Sequence, residues 1–324
     1  MAQAPRRLIA RVDPRIGAVL SDLRPLAYTG GADPEEDQPG YVRAASAIRR
    51  LGDRLVIVQD DTSVLAILRG GRVDPLLLPR GAGGRRVFGD DLGNKHDKMD
   101  LEACAALPDG RLVAFGSGSL PPREVLVVIE PDLSTRVVDG APLYRILREE
   151  LAFSGPELNV EGALVVGDRL RLFQRGNGAP RGGLQPVDAT GDLPLAAFLG
   201  WLDGGGQAPE LTDVVQVDLG AVAGVRLTFT DAALTAAGQV AFLACAEDSP
   251  DSIRDGEVVG CRVGVMEGAE VRAADVVDEA GRPVRLKLEG IERRPDGDYD
   301  VVADMDITGE PAVIGRLRVT GPGF

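Results

Sequence analysis

Four acids and one serine recur along the chain at comparable intervals. Ser46, Glu102, Glu161, Asp231 and Glu289 are separated by 56, 59, 70 and 58 residues. Carboxylates gathered around one point repel each other and raise their own pKa values unless a cation neutralises them. An all-oxygen donor set suits a hard ion, and a flexible ring of carboxylates suits Ca²⁺ better than octahedral Mg²⁺. The plainer alternative is that these acids cap strands and pair with arginines. An acid in four of five places favours the ion.

Other residues offer chemistry near the same register. The segment before Glu102 gathers Lys95, His96, Asp97, Lys98 and Asp100, and His96 is the single histidine of the chain. Lysine can hold an anion as a point charge, and His96 can carry a proton near neutral pH. A solvated charged loop is the competing reading of this segment. Arg123, Arg175 and Arg181 fall in polar turns, where arginine recognises phosphate or carboxylate bidentately or is simply a surface charge. This reading assigns catalysis to Lys95, His96 and Arg175, and substrate binding to Arg123, Arg175 and Lys98. The acidic run 247–251, ahead of Arg254 and Asp255, reads as a rim with further ligand capacity, and the tract 32–37 as a solvated linker. No Gly-x-Ser-x-Gly, catalytic Cys–His pair or phosphate-binding glycine loop competes.

The elements that must position these residues repeat with them. Each registered residue lies in a short alternating run, followed by a glycine-containing turn and a β-rich run, as in Leu101-Glu102-Ala103-Cys104 before Arg111-Leu112-Val113-Ala114-Phe115. Each unit has room for two more strands, and four-stranded units repeated radially are β-propeller blades. The sequence therefore predicts an all-β fold, a single five-bladed propeller over residues 1–324. It places a closing strand at about 6–13, a linker at 14–42 and the blades at about 43–324. The closing strand, residues 7–12, is expected to pair with 313–319 and complete the last blade, leaving fewer open edges. Two helices are expected, at 143–151 between units two and three and at 193–202, carrying the only tryptophan, Trp201.

Composition sets the boundaries. Among 324 residues, 50 are acidic and 36 are Lys or Arg, a formal charge of −14. Such a chain is repelled by phosphate backbones and anionic lipid, so nucleic acid and membrane are not expected partners. The 42 glycines and 22 prolines require frequent turns. Three cysteines, Cys104, Cys245 and Cys261, have no metal-ligand spacing and point to a reducing compartment. With no apolar run fit for a signal peptide or a membrane span, a cytoplasmic protein is expected.

The motifs also resemble a known family, the calcium-dependent soluble apyrases, five-bladed propeller nucleotidases with a central Ca²⁺. Ser46 followed by Val58-Gln59-Asp60-Asp61-Thr62 resembles that family's first-blade serine and Asp-Asp-Arg-Thr-Gly turn. Gly93-Asn94-Lys95-His96-Asp97-Lys98 resembles its lysine-rich approach to the second blade. Phe229-Thr230-Asp231 stands where the family has Phe-Ser-Ser, and Leu288-Glu289-Gly290-Ile291-Glu292 is close to its fifth-blade motif. The resemblance implies Ca²⁺ ligation by Ser46, Glu102, Glu161, Asp231 and Glu289. The chain departs from the pattern where phosphate and base would be held: no arginine stands between Asp61 and Thr62, and only Arg175 remains of a paired-arginine stretch. Two functions follow. One is a metal-dependent hydrolase of a small anionic substrate such as a phosphate ester or anhydride. The other is a non-catalytic ligand- or protein-binding propeller with a structural Ca²⁺.

Overall fold

A computed structural model describes residues 5–248, 256–305, 307 and 309–324. The chain begins with β1 (Arg6–Val12) and β2 (Gly17–Pro25). Four strands follow in antiparallel order, β3 (Ala45–Leu51), β4 (Arg54–Gln59), β5 (Val64–Arg69) and β6 (Arg72–Leu77). A second group repeats the pattern with β7 (Leu101–Ala106), β8 (Leu112–Gly116), β9 (Val125–Ile129) and β10 (Thr135–Asp139). Helices α1 (Ala141–Glu149) and α2 (Leu151–Ser154) lead to β11 (Val160–Val166), β12 (Arg169–Gln174) and β13 (Ala189–Pro194). Helix α3 (Leu195–Leu202) then precedes β14 (Thr212–Asp218). The short β15 (Ala221–Val222) introduces β16 (Val225–Leu234), β17 (Val240–Asp248), β18 (Glu257–Glu267) and β19 (Glu270–Asp275). Last come β20 (Val277–Asp278), β21 (Lys287–Arg293), β22 (Tyr299–Asp304) and β23 (Val313–Thr320). The protein is all-β, with the two expected helical stretches present as α1 and α3.

The hydrophobic core is divided rather than central. Inner strands such as β4, β5 and β9 are apolar almost throughout and buried on both faces, so each face of a sheet packs on a neighbour. Phe173, Phe229 and Phe242 meet edge to face between the third and fourth groups, with ring centroids 5.4 and 5.3 Å apart. Leu143, Tyr144 and Leu147 of α1 fill the space between the second and third groups. The first strands β3, β7, β11, β16 and β21 pack each against the next, and β21 packs back against β3. Gly290 permits that last approach, because a Cβ there would lie 2.9 Å from Ile48 N.

The N-terminus departs from expectation. Residues 6–9 of β1 pair in parallel with β14 and residues 10–12 with β19, joining the third and fourth groups into one ten-stranded sheet. The strand that completes the last sheet is β2, inside the expected linker 14–42, and it pairs antiparallel with β23 from Gly17↔Thr320 to Pro25↔Val313. Burial explains the choice. Ala18 and Leu20 enter the core beside Leu317 and Val319, whereas β1 buries only Leu8.

The cysteines also differ from expectation. Cys245 and Cys261 stand opposite each other on β17 and β18 and form a disulfide, leaving Cys104 free and buried. A disulfide does not accord with the reducing compartment expected from the cysteine count.

Candidate functional site

One backbone irregularity occurs five times. The register between first and second strands shifts between Ala45 and Ala47, Leu101 and Ala103, Val160 and Gly162, Phe229 and Asp231, and Leu288 and Gly290. Each shift is a β-bulge, which leaves one residue unpaired and re-aims its side chain. The bulged residues are Ser46, Glu102, Glu161, Thr230 and Glu289. The fourth place thus belongs to Thr230, not to Asp231. Since neighbouring residues on a strand face opposite ways, this single step sends Asp231 elsewhere.

The hydroxyl bulges and the glutamate bulges do different work. Ser46 Oγ donates to Leu101 O at 2.6 Å, and Thr230 Oγ1 donates to Leu288 O at 2.7 Å. Each hydroxyl therefore ties its strand to the carbonyl just before Glu102 or Glu289. Asp231 is fully buried and grips Arg49 with both oxygens, at 2.7 and 2.9 Å. Arg49 also donates to the carbonyls of Ile48, Ala163, Ala232 and Ile291, so one guanidinium links four of the five first strands.

Glu102, Glu161 and Glu289 instead line a cavity of about 390 Å³. Ser46, Thr230 and Asp231 do not line it. The cavity wall also carries Asp60, Asp61, Lys98, Asp100, Arg123, Arg175 and Lys287. Arg175 donates to Glu247 at 2.5 Å and Glu161 at 3.3 Å, and lies 3.9 Å from Glu289. Lys287 stands 3.1 Å from Glu289, and Asn159 donates to Glu161 at 2.8 Å. Asp100 receives Lys98, Arg123 and Ser117 at 2.6, 2.8 and 2.5 Å, while Lys98 also bonds Asp60. Oxygens of Asp60, Asp100 and Glu102 all lie within 4.8 Å of one another. Among the described residues, Glu102 alone of the three bulge glutamates has neither hydrogen bond nor ion pair.

The electrostatics follow from this packing. Desolvation, then the charges of Glu161, Asp60, Asp100 and Glu289, push the Glu102 carboxyl well above its ordinary range. Desolvation also raises Glu161, against the pull of Arg175 and Lys287, and it raises Glu289 well above the usual value against Lys287. Asp61 rises to about 6 through desolvation and its neighbour Asp60, despite Arg43 at 2.7 Å. Asp100 goes the other way: burial works against its charge, but Lys98 and Arg123 outweigh it.

The residues expected to act as catalysts are spread apart. His96 is 71 % exposed on its side chain, lies 3.4 Å from Asp97 and does not line the cavity. Lys95 stands at the rim, 3.1 Å from Asp90. Arg123, Arg175 and Lys98 do face the cavity, but all three are buried and bonded to carboxylates. Arg181 is exposed, near Glu157. Of the acidic run 247–251, Glu247 binds Arg175, and residues 249–255, with Arg254 and Asp255, lie outside the described residues.

Asp60 carried a signal that residue type alone conceals. Gln59 accepts Arg43 N at 2.7 Å, just as Gln174 accepts Asn159 N at 2.8 Å. The glutamine closes the end of the second strand in both groups, and the following residue, Asp60 or Arg175, faces the cavity.

Among solved structures, the chain is similar to the Myxococcus xanthus glutaminyl cyclase, at 12 % identity over 98 % of this chain and 99 % of that one, TM-score 0.49. It is similar to a luciferin-regenerating enzyme at 11 % identity over 95 % and 96 %, TM-score 0.44. It is also similar to a putative gluconolactonase at 13 % identity over 89 % and 77 %, TM-score 0.40. No curated protein matches it. Residues 41–319 match DUF6929, a family of unknown function, and the chain belongs to that family.

Proposed function

We propose that this protein is a five-bladed propeller whose mouth binds one divalent cation, Ca²⁺, through Glu102, Glu161 and Glu289, and serves as a metal-dependent hydrolase site for a small anionic molecule. Five four-stranded groups with first strands in a closed cycle support the propeller. With Thr230 in the fourth place, the bulges read Ser, Glu, Glu, Thr, Glu, and Phe229-Thr230-Asp231 aligns with the Phe-Ser-Ser of the soluble apyrases through Thr230. That supports a likeness in scaffold and ion, not in nucleotide chemistry.

The observation that carries the reading is Glu102, a carboxylate facing four others with no partner of its own among the described residues. Holding a carboxylate in its charged form among others is costly, and a bound cation offsets that cost. The donors are all oxygen and fit a hard ion. When bound, the cation would supply Lewis acidity for hydrolysis. Glu102, Glu161 and Glu289 would hold it, Arg175 and Lys287 would pull the last two toward the ionised form against the opposing effect of burial, and Ser46 and Thr230 would fix the backbone behind Glu102 and Glu289.

A second reading, a non-catalytic binding propeller with a structural cation, is favoured by the ion pairs of Lys98, Arg123 and Arg175. Their charges are already used on carboxylates, so a substrate anion gains little from them. Calorimetric titration of chelator-treated protein with Ca²⁺ tests the shared premise, with one equivalent expected and none for Glu102→Gln. Turnover of phosphate esters or anhydrides that depends on added Ca²⁺ supports the hydrolase. Binding without turnover leaves the second reading standing, and absence of binding overturns both.

A further inference from the structure

Lys98 bridges two carboxylates of the mouth other than the pair that Arg175 bridges. Its side chain is only 5 % exposed, and its ammonium bonds both Asp60 and Asp100 Oδ1. Those two carboxylates and Glu102 are the three whose oxygens lie within 4.8 Å of one another, a separation that a single hard cation can span. A compact positive charge therefore already sits on two of the three. Asp100 is closed on its other oxygen by Ser117 and Arg123. Asp60 keeps Oδ1 buried with no partner.

We infer that Lys98 is a tethered counter-ion that keeps the Asp60–Asp100 arm of the mouth free of divalent cations and so limits the site to one ion on the side of Glu161 and Glu289. The position of that ion rests on the reading given above, but the exclusion by Lys98 does not. Removing the ammonium leaves Asp60 and Asp100 facing Glu102, with Arg123 still bonded to Asp100, an arrangement that favours an incoming divalent ion. Lys98→Arg, which keeps the charge, should behave like the wild type.

Ca²⁺ titration of the full chain, Lys98→Met and Lys98→Arg separates the outcomes. One equivalent for wild type and Lys98→Arg, with two for Lys98→Met, supports both readings. None for wild type and one for Lys98→Met supports the inference and overturns the native cation site. Equal stoichiometry, with affinities within twofold, in wild type and Lys98→Met overturns the inference. Should Lys98→Met fail to fold, reductive methylation of the wild type read by mass spectrometry decides. Lys98 should stay unmodified with and without saturating Ca²⁺, and methylation that appears on adding Ca²⁺ would mean the ion displaces the ammonium and would overturn the inference.

Discussion

Asp231 Oδ1 lies 2.7 Å from Arg49 Nη2, and its other oxygen lies 2.9 Å from Arg49 Nη1. Both side chains are buried, at 0 % and 3 % exposure. The pair joins β3 to β16, and Asp231 also accepts Ile291 N of β21 at 2.9 Å. Losing one partner of a buried pair leaves an uncompensated charge, costing about 3–5 kcal/mol. Arg49→Met should therefore lower denaturant stability by about that amount. Asp231→Asn should cost less, since the amide oxygen still accepts. A double-mutant cycle should show strong coupling, and independent effects would refute the linking role.

The N-terminus offers a test of the strand exchange. Removing residues 1–13 deletes β1 but leaves β2 on β23, so the chain should still unfold in one cooperative step at a lower temperature. Removing residues 1–26 also strips Ala18 and Leu20 from the core and exposes the edge of β23. Each buried leucine contributes about 1.5–3 kcal/mol, and an open edge invites association. The longer truncation should aggregate or lose its cooperative transition, as circular dichroism and light scattering would record.

Sequence alone reached the parts of this architecture that local pattern encodes. Alternating apolar runs with glycine turns gave the repeated strands, and an acid repeated in those runs gave Glu102, Glu161 and Glu289. The error at Asp231 arose because an acid next to the true position satisfied the same type-based register. A bulge exists only in the hydrogen bonding between strands, which composition does not show. The N-terminal error has a similar origin: residues 7–12 read as an isolated strand free to close the last sheet, yet two parallel neighbours, β14 and β19, claim them. Arg49 was overlooked because an arginine in a strand, here beside Arg50, reads as a surface charge, until four carbonyls converge on it. Cys245 and Cys261 become neighbours only once β17 and β18 are paired.

Asp188 should give the fold a measurable pH dependence. Burial raises its carboxyl from 3.8 to about 6, against Gly176 N, Arg226 and Phe229 N. The folded state therefore holds this proton more tightly than the unfolded chain does. Its contribution is fully present below about pH 4, is lost as pH climbs to about 6, and changes little above that. A shift of about two units corresponds to about 3 kcal/mol. The wild-type stability minus that of Asp188→Asn, measured by urea denaturation without divalent ions, should fall across that window. A difference independent of pH between 4 and 6 would contradict the assignment.

The bulge register makes Thr230 and Asp231 separable by experiment, although they are adjacent. Thr230 Oγ1 holds Leu288 O, the carbonyl before Glu289, as Ser46 Oγ holds Leu101 O before Glu102. Neither hydroxyl lines the cavity, so each acts by positioning the glutamate that follows its acceptor. Thr230→Val keeps the shape and removes the donor, leaving Leu288 O to find another partner; a lost buried hydrogen bond costs about 1–3 kcal/mol. If Glu289 ligates Ca²⁺, this variant should bind the ion about tenfold more weakly. Thr230→Ser restores the hydroxyl and should restore the affinity, which a purely structural defect in packing would not do. Asp231→Asn should show the opposite profile, a loss of stability with Ca²⁺ affinity within about twofold of wild type when both are folded. Titration calorimetry on the three variants, at a temperature where circular dichroism shows each one folded, reads the affinity, and urea denaturation reads the stability. Weaker Ca²⁺ binding in Asp231→Asn than in Thr230→Val would return the fourth place of the ring to Asp231.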